Sequence, residues 1–204
     1  MIELFTASTP NGIKIPMALE ELAIPYTLRM MPMGSPDFRS AEFLSINPNG
    51  KIPAIRHHDS GRAPVTIFES GAILLYLADT FGGLAGATAA ARGQTLSWLF
   101  LQVAGLGPMM GNAAHFRAMK SPDPYTIGRF HGEAGRYLEL VEARLSETEW
   151  LNGEAYSIAD IAHFSWIRSA GYAGFDLKDF PILEAWVQKI EKRDATGRAL
   201  ARLG

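Results

Sequence analysis

The sequence predicts an α/β plus all-α protein, with a small mixed domain in the order β-α-β-α-β-β-α followed by a helical bundle. Two observations carry that expectation. Short strand-like segments alternate with helical stretches and turn signals through the first 80 residues, and strand signals stop beyond a Gly/Ala-rich stretch at residues 81–91. Past that stretch, apolar residues recur at helical spacing to the C-terminus. The expected domains are therefore 1–80 and 92–204, with 81–91 as a linker.

Ile2-Glu3-Leu4-Phe5-Thr6 has β character and stops at the turn-forming run Ser8-Thr9-Pro10-Asn11-Gly12. Ala18, Leu19, Leu22 and Ala23 then follow helical spacing, with Glu20 and Glu21 on the other face. Pro16 is tolerated only near a first turn, which places the helix start between Asn11 and Lys14. Tyr26 to Met30 alternates as a second strand, Ser35 to Leu44 reads as a loop with a short helix, and Asn47-Pro48-Asn49-Gly50-Lys51 is a turn. Ala54 to His57 and Val65 to Phe68 form a hairpin across the polar stretch His58-Asp59-Ser60-Gly61-Arg62. Ser70 stands in N-cap position before an apolar run through Leu77.

In the second half, Leu96, Leu99, Phe100 and Val103 make a helical stripe, and Gly105-Leu106-Gly107-Pro108 marks a break or kink. Phe130, Ala134, Tyr137, Leu138, Val141 and Leu145 make a longer stripe of about four turns. Ser157-Ile158-Ala159-Asp160 has capping-box form with Asp as acceptor, so Asp160 reads as a cap and not as an acid catalyst. Pro181 suits the first turn of a last helix carrying Leu183, Trp186, Val187 and Ile190.

Composition narrows the function. The chain has 204 residues, 48% of them hydrophobic, and no cysteine. That excludes a disulfide scaffold, a thiolate metal site, a Cys-His hydrolase and a C-x-x-C oxidoreductase working with its own sulfur. Charges of both signs are mixed to a net −2 without a basic patch, so no nucleic-acid partner is expected. Glu3 stands where a signal peptide would carry positive charge, and the longest apolar run, Ala72 to Ala78, is far short of the ~18 residues that cross a bilayer. A cytoplasmic protein without a membrane partner is expected.

Three strand-to-helix corners or turns hold the residues that could carry chemistry. At the first, Ser8, Thr9 and Asn11 border the ligand crevice of an α/β sheet, where a hydroxyl and an amide could donate to a thiolate and lower its pKa. The same residues also suit a plain turn and helix cap. At the second, Lys51-Ile52-Pro53 precedes a strand, and a cis bond at Pro53 would leave the Ile52 N–H and C=O free for a peptide ligand. At the third, Ser70 and a helix N-terminus could hold a carboxylate while Glu69 takes an ammonium, although an ordinary cap beside a solvated glutamate fits as well.

Taken together, the three corners describe a peptide-like ligand with an amino-acid head and a thiol. Here the sequence resembles the glutathione transferase family, in K-I-P-A at 51–54, E-S-G-A-I-L-L-Y-L at 69–77 and S-I-A-D at 157–160. It is most similar to the bacterial nu class in Thr9-Pro10-Asn11-Gly12, Asn47 to Ile55, Phe68 to Leu74, Trp98-Leu99-Phe100 and Gly105 to Met109. The resemblance implies a thioredoxin-like first domain and glutathione as co-substrate, with no metal. It places the γ-glutamyl end at Glu69 and Ser70, the cysteinyl backbone on Ile52 beside Pro53 with Lys51 in contact, and the sulfur near Thr9 and Asn11, the catalytic pair. Arg129, in Tyr125-Thr126-Ile127-Gly128-Arg129-Phe130, matches a glutathione contact from the second domain. Pro36-Asp37-Phe38 departs from relatives that carry Gln before the Phe.

The resemblance also implies glutathione-dependent reduction of small disulfides and a homodimer, with glutathione or glutathione disulfide as partner. Conjugation of glutathione to electrophiles and a non-catalytic binding or protein-interaction module are the alternatives. Trp98, Phe100, Met109, Met110, Phe116 and Trp166 could wall an apolar pocket for a second substrate. His57-His58-Asp59 reads as a polar loop and not a metal cluster, and His115, His131 and His163 fit no H-E-x-x-H spacing.

Overall fold

A computed structural model describes residues 1–204 except Ser60, which falls in the expected hairpin loop, and Pro122. In chain order the elements are β1 (Ile2–Thr6), α1 (Lys14–Glu21), β2 (Tyr26–Met30), a 3₁₀ turn (Pro36–Arg39), α2 (Ala41–Ile46), β3 (Ala54–His57), β4 (Val65–Phe68) and α3 (Ser70–Phe81). They continue as α4 (Ala89–Leu101), a π-helical turn (Gln102–Leu106), α5 (Gly107–Arg117), α6 (Pro124–Glu147), α7 (Ile158–Ile167) and α8 (Ala170–Ala173). A 3₁₀ turn (Leu177–Asp179), α9 (Pro181–Glu191) and α10 (Asp194–Ala201) complete the chain. The chain forms two compact units, one of Met1–Gly82 with Arg193–Gly204 and one of Gly83–Lys192.

The first unit has the expected β-α-β-α-β-β-α order and a four-stranded sheet in the order β2-β1-β3-β4. β1 and β2 run parallel, as a helical crossover through α1 permits, while β3 runs antiparallel to both β1 and β4. Leu4, Ile55, Ile15, Leu19, Ile73 and Leu77 are fully buried in it. A second cluster of Phe5, Met31, Phe43, Ile46 and Ala54 takes in Phe38 and Ile52 at its edge. Phe38 of the Pro36-Asp37-Phe38 stretch meets Phe43 edge-on, with ring centroids 5.9 Å apart.

Two sequence expectations change here. Glu69, not Ser70, is the residue before the first turn of α3, and it makes no side-chain cap bond. Pro181 does not open the last helix, because α10 follows α9, and residues 193–204 pack with the first unit instead of the helical one. The reason is charge and shape on the outer face of α1. Arg193 donates to both Glu21 oxygens at 2.6 and 2.8 Å, Arg198 donates to Glu20 at 2.8 Å, and the Arg202 guanidinium lies 4.5 Å from the Tyr26 ring centre. Glu20 and Glu21, which sequence spacing assigns to a solvated face, thus receive a helix that follows more than 170 residues later. Arg193→Ala should cost about 1–2 kcal/mol in urea denaturation, since the bidentate pair is half-buried.

In the second unit the expected break at Gly105 to Pro108 is a π-helical turn that joins α4 to α5 without leaving the helix. Gly105 is required there because a Cβ would lie 2.5 Å from the Tyr137 ring of α6. Residues 81–91 are shorter as a linker than expected, with α3 reaching Phe81 and Thr88 capping α4 through the Ala91 N–H. The α6 stripe is buried at Ala134, Leu138, Val141 and Leu145, and the capping box of α7 forms as its sequence predicts. Among the described residues no helix is long and apolar enough to cross a membrane.

Candidate functional site

The sheet register brings the three corners to one edge of the first unit. Ala54 of β3 lies opposite Phe5 of β1 on one side and Phe68 of β4 on the other. Pro53 therefore neighbours the C-terminal end of β1, from which the chain runs to Thr9 and Asn11, and the C-terminal end of β4, from which it runs to Glu69 and Ser70. Strand polarity alone makes these positions adjacent, since β3 is antiparallel to both partners.

At the first corner the chain turns helically before α1 begins. Ile13 N–H donates to the Thr9 carbonyl at 3.0 Å and Gly12 N–H donates to Thr9 Oγ1 at 3.0 Å, so Thr9 acts as a cap. Its hydroxyl accepts from the backbone and keeps its own proton to donate. Gly12 is required because a Cβ would lie 2.1 Å from the Ala7 carbonyl oxygen. Thr9 and Asn11 are half-buried, while Ser8 is exposed.

The second corner holds the cis Ile52–Pro53 bond. Asn47 builds the approach to it, with its Nδ2 donating to the Lys51 carbonyl at 2.6 Å and its Oδ1 accepting from Asn49 N–H at 3.0 Å. Among the described residues no hydrogen bond engages the Ile52 N–H or C=O. Lys51 is exposed.

At the third corner Glu69 has φ 69° and ψ 118°, a backbone conformation that L-residues rarely adopt. Such outliers persist where surrounding structure holds them and cluster at ligand sites. The exposed Glu69 carboxylate stands beside the buried Ser70.

Sequence reasoning missed Lys14, the first residue of α1, which is 1% exposed. Its Nζ donates to Asn11 Oδ1 at 2.9 Å and to Ser70 Oγ at 3.2 Å, so one ammonium joins the first corner to the third. Burial lowers its pKa to about 7, and the Glu69 carboxylate acts in the opposite direction. The only signal in the sequence was a lysine on an otherwise apolar helix turn, Ile13-Lys14-Ile15, which helical spacing alone does not interpret.

Arg129 is carried by the second unit, exposed on α6, where it lines a groove of about 510 Å³ with Met109, Tyr125, Phe130 and Glu133. Of the six residues expected to wall an apolar pocket, Met109 lines this groove and Phe116 stacks on Phe130 at 5.3 Å. The others are elsewhere: Met110 is buried, Trp98 meets His163 at 6.0 Å, Trp166 packs over Gly111, and Phe100 is 59% exposed. His57 Nδ1 and the Tyr76 hydroxyl share a hydrogen bond at 2.7 Å, and His58 pairs with Glu3. Among the described residues no group of three or more His, Asp or Glu could hold a metal ion.

Comparison with known proteins gives a consistent result. The family model described as the glutathione S-transferase N-terminal domain matches residues 9–80, and the one for the C-terminal domain matches residues 129–194. Disulfide-bond oxidoreductase YfcG of Escherichia coli is 44% identical over all of this chain and 97% of its own length. A Pseudomonas fluorescens glutathione transferase family member, solved with two glutathione bound, has TM-score 0.91 and 40% identity, covering 98% of this chain and 92% of its own. A Pseudomonas putida glutathione transferase, solved with one glutathione disulfide per subunit, has TM-score 0.93 and 35% identity over 100% of this chain and 92% of its own. With the two domain models on its two units and a full-length relative at this identity, the chain belongs to the glutathione S-transferase family.

Proposed function

We propose that the protein binds glutathione at the sheet edge of its first unit and uses the thiolate to reduce small disulfides. One observation carries the reading. A chain without cysteine places the Thr9 hydroxyl and the Asn11 carboxamide at the β1–α1 corner, donors suited to a sulfur that arrives with the ligand. The names of its relatives support it, in an oxidoreductase of disulfide bonds and in structures holding two glutathione molecules or a glutathione disulfide.

In this reading Ser70 and the start of α3 take the α-carboxylate of the γ-glutamyl end, and Glu69 takes its ammonium. Ile52 pairs with the cysteinyl backbone beside Pro53, and Lys51 adds a charged contact. A free thiol ionises near pH ~8.5, and lowering that to ~6.5 requires about 2.7 kcal/mol, within reach of two hydrogen bonds and a helix start. The thiolate then attacks the substrate disulfide, forming a mixed disulfide and releasing one substrate thiolate. A second glutathione thiolate attacks the glutathione sulfur of that intermediate, releasing the other substrate thiolate and leaving glutathione disulfide. Two glutathione thiols thus supply the two electrons. A homodimer in the cytoplasm belongs to the same reading.

The test is turnover of a small disulfide coupled to glutathione oxidation. Thr9→Ala with Asn11→Ala should lower kcat/KM by about 10- to 100-fold, the larger share of the ~2.7 kcal/mol that the pair supplies together with the helix start. Unchanged turnover would remove both residues from the mechanism. The apolar side chains of the Arg129 groove, Met109 and Phe130, favour conjugation as a second reading. Faster turnover of an aryl halide than of a disulfide would select it. A ligand at a hundred times its dissociation constant adds about 2.7 kcal/mol of stability, so no thermal shift with reduced or oxidised glutathione would exclude both enzyme readings.

A further inference from the structure

A buried lysine is costly, because desolvation penalises its charge and an apolar side chain of similar length would fill the same space without that cost. Lys14 is such a group, and the geometry around it specifies what it does. An ammonium donates hydrogen bonds and cannot accept them. The Asn11 atom at 2.9 Å is therefore the carbonyl oxygen, which turns the N–H edge of the carboxamide away from Lys14. Ser70 Oγ likewise accepts at 3.2 Å, so its own proton is directed elsewhere. In its protonated form Lys14 thus sets both side chains as donors and polarises both.

We propose that Lys14 is a positioning residue that presets Asn11 and Ser70 as hydrogen-bond donors, preparing two corners of the site for the two anionic groups of one ligand, a thiolate and an α-carboxylate. The inference rests on glutathione being that ligand. A carboxamide can flip and a hydroxyl can rotate, and a hydrogen bond from a cation favours the acceptor edge of each. The arrangement also explains why a charge is kept inside α1, since a ligand bringing negative charge to Asn11 and Ser70 offsets the cation that burial disfavours. Glu69, the acidic neighbour whose field acts on Lys14, stands on the same side.

The experiment compares wild-type protein with Lys14→Met, which keeps the length and apolar stem of the side chain and removes its charge and donors. Three quantities are read: the melting temperature without ligand, the affinities for glutathione and S-methylglutathione by calorimetry, and the pKa of the bound thiol from its thiolate absorbance. Lys14→Met should melt no lower than wild type, yet bind glutathione about tenfold more weakly, the scale of one hydrogen bond to a charged group. The bound thiol should titrate about one unit higher. S-methylglutathione, which has no thiol but keeps the carboxylate, should also bind more weakly, through Ser70. A purely structural lysine would change the melting temperature and leave the thiol pKa in place.

Equal affinities and an equal thiol pKa in the two proteins would overturn the role of Lys14 while leaving glutathione binding intact. No binding by wild type would instead overturn the glutathione reading, and this inference with it. If Lys14→Met does not fold, ¹³C-labelled lysine in the wild-type protein decides the matter. Saturating glutathione should move the Lys14 titration to higher pH, and an unmoved titration would count against the role.

Discussion

Asp160→Ala should lower the melting temperature by about 10 °C, through a loss of about 3–5 kcal/mol. The Asp160 carboxylate is fully buried and accepts from the Leu151 N–H at 3.0 Å, the Ser157 N–H at 3.0 Å and the Ser157 hydroxyl at 2.8 Å. Alanine would leave two backbone amides inside the second unit without partners, each costing about 1–3 kcal/mol. The cap matters beyond its own turn because α7 is the apolar centre of this unit, with Ile158, Ile161, Phe164 and Ile167 all fully buried. Differential scanning calorimetry measures the loss directly.

The same carboxyl gives a pH signature. Burial raises its pKa from 3.8 to about 6, overriding the hydrogen bonds from Leu151 and Ser157 that act downward. The folded value lies above the unfolded one, so the part of the stability that depends on its protonation is full below pH 3.8 and is lost as pH rises through about 6, while the hydrogen bonds it accepts remain. Urea denaturation between pH 4 and 7 should therefore show wild type losing stability relative to Asp160→Asn as pH rises. A difference that stays flat across that window would mean the carboxyl ionises normally.

Gly12→Ala is expected to be the most damaging single-methyl change at the candidate site. The new Cβ would lie 2.1 Å from the Ala7 carbonyl oxygen, 2.7 Å from Thr6 Oγ1 and 2.9 Å from Thr9 Oγ1. The first of these is backbone at the end of β1, so relief requires moving the turn that carries Thr9 and Asn11. A stability loss of about 2–3 kcal/mol, typical of overpacking, should accompany a loss of glutathione affinity of at least about 100-fold. Gly132→Ala on α6 is the control. Nothing lies within 4 Å of its Cβ, and alanine in a helix should gain about 0.5–1 kcal/mol. Glutathione binding by Gly12→Ala at wild-type strength would show that the turn is not part of the site.

Much of the fold could be read from local chemistry. The two hairpin strands, the helix beginning at Lys14 after the Thr9-Pro10-Asn11 turn, and the capping box at Ser157 depend on residues within a few positions of one another, where period, turn propensity and cap geometry act directly. Ser70 departs from its expected N-cap position for a related reason. Its sequence position suits an N-cap, but its hydroxyl is engaged by Lys14 from 56 residues away, and the unusual backbone falls on Glu69 instead. The face of α1 bearing Glu20 and Glu21 looked solvated because its arginine partners lie at the other end of the chain.

By itself, the sequence determined the class of chemistry available: without cysteine, any thiol must come from a ligand, and the corner motifs point to the ligand family. It also determined the β-α-β-α-β-β-α order of the first 80 residues, since local patterning specifies each of those elements. Only the tertiary structure decided that a buried lysine joins Asn11 to Ser70, that Asn47 holds the Lys51 carbonyl before Pro53, and that the last helix packs on α1. These are contacts between side chains brought together by strand register and helix packing, and no spacing along the chain encodes the distance across which an ammonium reaches two oxygens.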